Sequence, residues 1–336
     1  MENHNNALIQ EINESLGKSI FHIFPNYSGG ISINGKSYPT SAMELSRPTG
    51  KHINRLLLKT FNAISNKGII RTIGNACAPG LIFPQLLPGK GMEQFDSGTV
   101  KCQFIVANIL GYSQYPDAVT IEAEPFMILP IRPNWNNYED YLADFSSKYR
   151  VRAQKVLSDS KSIEKRTLHT LPPNEWIAAC GSLLFQSLQK KTVAVGKNLP
   201  ELLHCYYKAL GPNFKVFGYY LNNQLVGFIT CIIDGKHLFA MHLGMNEHLD
   251  PNYKLYQRML SDLVDFAISE KATILNLGRT GTEIKSTLGA IPVKNSFVIF
   301  TRSKWLLFLF KYYVNRFRKK NLYIIRKPFK QNNQIA

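Results

Sequence analysis

The chain has 336 residues, of which 45% are hydrophobic, so it can form one large or two medium domains with a substantial core. Charged residues make up only 19%, which excludes a disordered chain, and the formal net charge of +17 favours anionic partners such as phosphates, nucleic acid or an acidic membrane face. The five cysteines are odd in number and lack C-x-x-C spacing, which argues against a zinc site or a disulfide framework and fits free thiols in a reducing compartment.

The first 132 residues carry the patterns of short strands and one helix. Their apolar runs predict strands at residues 19–24, 30–33, 69–73, 100–110 and 118–124, with a further short apolar run at 126–130. Apolar residues at helical spacing predict a helix at residues 52–65, and a stretch rich in Pro and Gly predicts a loop at residues 78–91.

The residues after 132 alternate between helices and strands. Asn137 is a candidate N-cap for a helix that we expect to continue to residue 160. A strand at residues 162–168 and helices at 174–190 and 199–210 follow. The remaining predicted elements are strands at 215–221, 224–233 and 237–243, a helix at 252–269, a strand at 274–277, a helix at 282–288 and a strand at 296–301. This order predicts a mixed α/β sheet.

The segment after the strand predicted at residues 274–277 has the features of a turn that meets an anion. Gly278 permits close backbone approach, and Arg279 projects where the strand gives way to a helix. Thr280 lies within the turn, and Thr282 is a candidate N-cap. The N–H groups at the start of the next helix would then face an anionic substrate group.

Four cations lie within about two turns of the helix that begins near Asn137. They are Lys148, Arg150, Arg152 and Lys155. Three of them share one helical face, so this helix is a candidate clamp for a phosphate. The alternative is a solvated helix face.

Three stretches together resemble a known superfamily. They are YLADFSSKYRVRAQK, then YYLNNQLVGFITCIIDGKHLFAMHLGMN with LYQRMLSDLVDFAI, and NLGRTGTEIKSTLGAIP. They resemble the GNAT superfamily of N-acyltransferases, especially its branch of Fem-type peptidyltransferases and peptidoglycan biosynthesis or recognition proteins. The resemblance implies a GNAT-like fold with two tandem halves. We therefore expect an N-terminal GNAT-like half at residues 1–132, an acyltransferase domain at 133–302 and a basic aromatic tail helix at 303–336.

The resemblance also implies a reaction centre near the start of the helix predicted at residues 282–288. Fem-type enzymes carry a Lys there in an F-K-x-x-F-G-like motif, and Lys285 matches it. Lys285 and Arg279 are expected to stabilise an oxyanion or an anionic substrate group, with Glu283 as a further substrate-binding candidate. The alternative is that Lys285 and Glu283 form a solvated helix face and that Arg279 is a structural ion-pair partner.

The loop before the central helix departs from the general GNAT pattern. Residues 245–253 lack the glycine-rich loop that cradles the CoA pyrophosphate, as in the Fem-type branch, which puts standard acetyl-CoA binding in doubt. Tyr253 and Lys254 are candidate donors to the substrate in its place, and Tyr256 is a candidate general acid. His242, near the end of a strand at the edge where GNAT chemistry occurs, is a candidate general base. The alternative for each side chain is a structural role.

The tail combines aromatic and basic residues. Its apolar residues at helical spacing are Leu306, Leu309, Phe310, Tyr313 and Phe317. The neighbouring cations make this pattern typical of a helix on an anionic membrane surface, although a helix docked on the protein is equally compatible. The N-terminus lacks a secretory signal, and the longest apolar run is too short to span a bilayer. We therefore expect a cytoplasmic protein, with peripheral membrane contact through the tail.

The leading hypothesis is an N-acyltransferase. It would move an acyl or aminoacyl group from a phosphate-bearing carrier to an amine of a cell-envelope or small-molecule acceptor. Acyl-CoA or aminoacyl-tRNA would be the co-substrate, and we expect no tightly bound cofactor, no metal and no specific DNA binding. One alternative is a membrane-surface acyltransferase that modifies an amino-lipid or a polysaccharide. Another is a non-catalytic, degenerate GNAT domain that binds nucleic acid or an acidic polymer.

Overall fold

The computed structural model of the protein describes most of the chain after residue 115 and several short strands before it. The described residues are 115, 117–189, 194–195, 199–301, 303–305, 307–308, 311–312 and 323–330, together with the strands at 23–26, 30–33, 36–39, 45–46, 70–73 and 104–110. The helix predicted at residues 52–65 and the loop predicted at 78–91 lie outside the described residues.

The elements of the described residues are numbered in chain order. The strands are β1 (Ile23–Asn26), β2 (Gly30–Ile33), β3 (Lys36–Pro39), β4 (Leu45–Ser46), β5 (Ile70–Ile73), β6 (Phe104–Leu110), β7 (Ala118–Glu122), β8 (Phe126–Pro130), β9 (Glu164–Thr167), β10 (Ala194–Val195), β11 (Phe214–Leu221), β12 (Gln224–Asp234), β13 (His237–Met245), β14 (Ile274–Asn276), β15 (Ile291–Val293) and β16 (Asn295–Thr301). The helices are α1 (Tyr138–Ala143), α2 (Ser147–Asp159), α3 (Pro173–Gln189), α4 (Leu199–Leu210), α5 (Asp250–Tyr253), α6 (Leu255–Ser269) and α7 (Thr282–Thr287).

The largest sheet has seven strands in the order β15-β8-β14-β13-β12-β11-β9. Its neighbours pair antiparallel except for β13 and β14, which run parallel. From β11 onward the chain follows the predicted order of three strands, helix, strand, helix and strand, with the short strand β15 added. The structure therefore confirms the mixed α/β sheet and the GNAT-like fold.

Side chains alternate between the two faces of this sheet, as the pleat of a strand requires. Along β8, Phe126 and Ile128 join the core that includes residues of α3 and α4. Met127 and Leu129 join a second core with residues of α1 and α6. We call the first side the α3–α4 face and the second the α6 face.

Two helices that the sequence predicts as continuous are interrupted. The first is divided into α1 and α2, and between them Phe145 forms an isolated antiparallel bridge with Phe329. The predicted N-cap is confirmed, because the Asn137 side chain accepts a 2.8 Å hydrogen bond from the backbone N–H of Asp140. The second helix is divided into α5 and α6 at Lys254, whose left-handed φ of 50° ends α5.

A second sheet contains strands from both predicted halves. Its order is β5-β6-β16-β7, so β16 pairs with two strands from the first part of the chain. Conversely, β8 precedes residue 133 yet belongs to the seven-stranded sheet. The pairing therefore crosses the predicted boundary at residues 132–133 in both directions, and the division into tandem halves stays a prediction.

The described parts of the tail differ from the single helix predicted for residues 303–336. Residues 304–305, 307–308 and 311–312 are helical. Residues 323–330, which we call the C-terminal strap, are not helical and contact α7 and the junction between α1 and α2. The helix prediction is therefore wrong for the strap. Within the described residues, no helix combines the length and apolar character that crossing a bilayer requires.

Candidate active site

The two parallel strands of the large sheet separate after three residue pairs. Residues 237–239 of β13 pair with residues 274–276 of β14. β13 then continues to Met245 while paired with β12 on its other edge. The chain after β14 stays with β8, since the backbone N–H of Leu277 donates to the carbonyl of Met127. An opening therefore lies between the C-terminal ends of β13 and β14.

The chain that leaves β14 forms a tight turn at this opening. Gly278, Thr280 and Gly281 have left-handed φ angles of 75°, 66° and 63°. The backbone N–H of Gly278 donates a 2.8 Å hydrogen bond to the side-chain oxygen of Asn276. Gly281 occupies the N-cap position of α7 and Thr282 is already helical, so the predicted N-cap role of Thr282 is wrong. A β-branched Thr280 in the left-handed region is a strained residue.

The side chain of Arg279 lies against aromatic rings beside this turn. Its guanidinium carbon is 5.8 Å from the ring centroid of Phe126 and 5.2 Å from that of Phe297. Burial lowers the pKa of the guanidinium, and the negative charge of Glu124 opposes that shift. An arginine nevertheless keeps its proton in a protein. A positive charge is thus held in a poorly solvated position, where its interaction with an anion is strengthened.

Lys285 is buried, with 3% of its surface exposed, although it lies in the short helix that follows the turn. Its Nζ donates to the backbone carbonyl of Arg279 at 2.7 Å and to that of Gly278 at 3.3 Å. The interpretation of Lys285 as part of a solvated helix face is therefore wrong. The ammonium group stabilises the turn and places a second positive charge beside its backbone.

Tyr256 of α6 also contacts the turn. A Cβ atom added to Gly281 would lie 2.7 Å from the Tyr256 hydroxyl oxygen, so the hydroxyl lies directly against the turn. Burial, and then the negative charge of Asp250, raises the pKa of Tyr256 to about 12. Tyr256 is therefore protonated at neutral pH and available as a hydrogen-bond donor. Tyr253, in the preceding helix α5, is half-buried against the same core.

His242 lies on the α3–α4 face. Its ring is tilted against that of Tyr206 in α4, with 5.6 Å between the centroids. Its backbone N–H donates a 2.9 Å hydrogen bond to the Thr230 hydroxyl. Tyr206 belongs to the core of the α3–α4 face, whereas Tyr256 packs against the core of the α6 face. The structure does not bring His242 and Tyr256 together, and the base role of His242 stays a prediction.

The cations of α2 lie beside a cavity on the α6 face. The cavity has a volume of about 320 Å³ and lies between α2, α6 and α7. Arg152 and Lys155 line it together with Lys254. Lys148 and Arg150, which are also described, are not among the lining residues; Lys148 is exposed and Arg150 is half-buried.

The C-terminal strap is the feature of this region that the sequence did not reveal. Phe329 is buried beside Trp135, Tyr141 and Phe145, with ring centroids 5.3 to 6.2 Å apart. The guanidinium of Arg132 lies 4.5 Å from the centroid of the Phe329 ring. The only sequence signal is an aromatic residue after a proline, and it does not indicate what Phe329 contacts.

The backbone of the strap bonds to both α7 and α2. The N–H of Ile324 donates to the exposed Glu283 carboxylate at 3.3 Å, which gives Glu283 a contact away from the turn. The N–H of Arg326 donates to the Ser286 hydroxyl at 2.9 Å. The N–H of Ser146, just before α2, donates to a strap carbonyl at 2.8 Å. The strap therefore joins two of the helices that line the cavity.

No model of a known protein family matches this sequence, and no curated protein matches it. FemX aligns with 90% of this chain and 98% of its own, with a TM-score of 0.44 and 11% identity. L-PGS from Bacillus licheniformis aligns with 64% of this chain and 74% of its own, with a TM-score of 0.38 and 9% identity. N-myristoyltransferase of Saccharomyces cerevisiae aligns with 84% of this chain and 62% of its own, with a TM-score of 0.37 and 11% identity. The strand order and the parallel β13–β14 pair are those of a GNAT-like fold.

Proposed function

We propose that the protein is an acyltransferase whose reaction centre is the opening between β13 and β14. The turn at residues 278–281 carries this proposal, because Arg279, Lys285 and the Tyr256 hydroxyl all contact or belong to it. Acyl transfer to an amine passes through a tetrahedral intermediate with a negatively charged oxygen. The guanidinium of Arg279, beside Phe126 of the α3–α4 face, supplies a positive charge that matches the negative charge developing in this intermediate, and the Tyr256 hydroxyl approaches the turn from the α6 face.

Arg279 and Lys285 have different roles in this proposal. Arg279 supplies the charge that stabilises the oxyanion. Lys285 is a positioning residue, since its Nζ binds the carbonyls of Gly278 and Arg279 and so fixes the backbone from which the guanidinium extends. Electrostatic stabilisation is effective when the charges are in place before the reaction begins. Direct contact between Lys285 and the substrate stays a prediction.

The Tyr256 hydroxyl lies against the turn, and as a weak acid it suits one class of leaving group better than another. An ordinary thiol has a pKa of about 8.5, so a thiolate leaving group gains little from so weak an acid. An alkoxide is a much stronger base and would take the proton or a strong hydrogen bond from Tyr256. Tyr256 would therefore contribute more with an ester donor, such as an aminoacyl-tRNA, than with a CoA thioester.

A screen for products tests the proposal. The protein would be incubated with acyl-CoA thioesters or aminoacyl-tRNA and with amine acceptors, and acylated products would be detected by mass spectrometry. We expect the initial rate to fall by at least about 100-fold in Arg279→Ala. Lys236→Ala, which removes an exposed cation between β12 and β13, is the matched control and should keep the rate. Full turnover by Arg279→Ala would show that the reaction centre does not lie at this turn.

The exposed aromatic side chains of the tail favour a narrower candidate, acyl transfer at a membrane surface. Trp305, Phe308 and Tyr312 have 70%, 66% and 59% of their surface exposed, and their spacing places them along one side of a helix. Lys304 and Lys311 are also exposed. Aromatic side chains beside cations suit the interface of an anionic bilayer.

Co-sedimentation with vesicles of phosphatidylglycerol and phosphatidylcholine tests this candidate. The triple variant Trp305→Ser, Phe308→Ser and Tyr312→Ser leaves the strap intact and should lower the bound fraction severalfold. Phe185→Ser, which removes another exposed aromatic side chain, is the control and should bind as the wild type does. Equal binding by the triple variant would contradict a membrane role for this surface.

A further inference from the structure

The cavity between α2, α6 and α7 has predominantly apolar walls and a basic mouth. Its apolar lining residues are Phe145, Tyr149, Ala153, Val156, Ile284 and Leu288. Its volume of about 320 Å³ lies at the lower end of the range of sites that enclose small ligands. Such walls favour a hydrocarbon ligand, because removing apolar surface from water stabilises the bound state.

The walls of the cavity are tied together at their ends. Arg258 of α6 donates a 3.1 Å hydrogen bond to the Ser160 hydroxyl at the end of α2, and it is paired with Asp262 at 3.0 Å. The Tyr141 hydroxyl of α1 donates a 2.8 Å hydrogen bond to the carbonyl of Leu288, just after α7. The C-terminal strap adds the bonds to α7 and α2 described above. The cavity is therefore formed before a ligand enters, which lowers the cost of binding.

Three cations line the cavity where it meets solvent, since two of them are exposed and the third is half-buried, and we call this edge the mouth. Arg152, Lys155 and Lys254 line it, and Asp159 is the acidic residue of the lining. Three cations less one carboxylate leave a net charge of +2. Lys155 is paired with Asp159 at 3.1 Å, so the excess lies with Arg152 and Lys254. A phosphate dianion would match this excess.

We propose that this cavity binds an alkyl or acyl chain that ends in a phosphate. The chain would lie along the apolar walls, and the phosphate would lie at the mouth between Arg152 and Lys254. The phosphate would belong either to a lipid headgroup or to a soluble carrier. This inference rests on the proposed function for the role of the ligand as acyl donor or acceptor, but the binding itself requires no turnover.

Calorimetric titration of the full chain with dodecyl phosphate, below its micelle concentration, tests the inference. Each buried methylene contributes roughly a fourfold gain in affinity. We therefore expect dodecyl phosphate to bind at least about 100-fold more tightly than butyl phosphate, and inorganic phosphate to bind more weakly still. Dodecyltrimethylammonium has the same chain with the opposite charge and should bind at least about tenfold more weakly than dodecyl phosphate.

Two variants test the contributions of the apolar walls and of the cations at the mouth separately. Ala153→Phe should fill the cavity and remove the preference for the long chain. The double variant Arg152→Gln and Lys254→Gln should lower the affinity for dodecyl phosphate about tenfold and keep the preference for the longer chain. Lys161→Gln removes an exposed cation just beyond α2 and is the matched control. Arg152 is itself exposed, so the single variant Arg152→Gln keeps the test valid if another substitution impairs folding.

The source of the phosphate is tested with vesicles that contain phosphatidic acid. Binding to vesicles that depends on Arg152 and Lys254 identifies a lipid headgroup, whereas binding of dodecyl phosphate alone identifies a soluble carrier. Equal affinity for butyl and dodecyl phosphate, or unchanged binding in both cavity variants, would overturn the inference. Arg279→Ala should bind dodecyl phosphate normally, so this inference and the proposed reaction centre can fail separately.

Discussion

The turn after β14 and the mouth of the cavity both carry positive charge, but they hold it differently. At the turn, Lys285 is 3% exposed and Arg279 lies against two aromatic rings. At the mouth, Arg152 and Lys155 are exposed to solvent. Poorly solvated charges act strongly on a group at short range, whereas exposed charges are screened by water and salt. Under our proposals, the turn therefore carries the chemical step and the mouth captures an anionic ligand.

The largest expected effect tests whether the strap supports the cavity. Phe329→Ala removes a buried ring, and we expect the free energy of unfolding to fall by about 3–5 kcal/mol. Urea denaturation followed by circular dichroism would measure it. Tyr323→Ala changes an exposed strap residue and should stay within about 0.5 kcal/mol. A loss below about 1 kcal/mol in Phe329→Ala would show that the strap does not stabilise the fold.

A smaller loss of stability is expected when the hydrogen bonds from Lys285 to the turn are removed. Lys285→Met keeps the apolar stem but leaves the carbonyls of Gly278 and Arg279 without this donor. We expect a loss of about 1–3 kcal/mol in the free energy of unfolding, together with slower acyl transfer. The exposed Lys294→Met is the control for charge removal. If Lys285→Met slows transfer without any loss of stability, direct contact with the substrate would replace the positioning role.

The salt dependence of binding and of the reaction rate should distinguish the mouth of the cavity from the turn. Raising the ionic strength from about 0.1 to 1 M shortens the screening length from about 10 to 3 Å. We expect the affinity for dodecyl phosphate to fall severalfold, because Arg152 is exposed and Lys254 is only half-buried. The rate at saturating substrate should change less than about twofold, since the charges at the turn are shielded from solvent. Equal salt dependence of affinity and rate would contradict the comparison.

The smallest change in stability is expected at Thr280. Its left-handed φ of 66° strains a β-branched residue, and glycine adopts this conformation freely. Thr280→Gly should therefore stabilise the protein by about 0.5–1 kcal/mol, measured by thermal unfolding. Destabilisation of similar size would mean that the Thr280 side chain makes contacts that outweigh its strain.

The pH profile of the reaction should show no ionisation from Tyr256. Because its pKa is about 12, the hydroxyl stays protonated between about pH 6 and 9. Tyr256→Phe should lower the rate with an ester donor more than with a thioester donor, without changing the shape of either profile. A Tyr256-dependent step near neutral pH would show that substrate binding lowers its pKa or that its role is different.

Several local features were predictable from the sequence, because neighbouring residues determine them. The N-cap at Asn137 and the strands from residue 214 to 245 depend on short-range pattern, and the structure confirms both. The left-handed Lys254 was not predicted, since lysine seldom signals that conformation. The burial of Lys285 was also missed, because its carbonyl partners lie in a turn whose shape the sequence does not specify.

Contacts between distant residues were the least predictable. Ile324 and Glu283 are 41 residues apart in the chain, and Arg326 and Ser286 are 40 apart. Nothing in the periodicity of the tail indicates that the strap lies against α7. The cavity depends on such contacts, so the cations of α2 were identified from the sequence while the apolar walls beside them were not.

The most direct test of the central claim is kcat/KM for Arg279→Gln with an identified donor and acceptor. Arg279→Gln removes the charge and keeps much of the side-chain bulk, and Arg279→Lys keeps a charge in a different geometry. We predict a fall of at least about 100-fold for Arg279→Gln, a partial recovery in Arg279→Lys, and normal binding of dodecyl phosphate by both. An unchanged kcat/KM in Arg279→Gln would contradict the assignment of the reaction centre to the turn after β14.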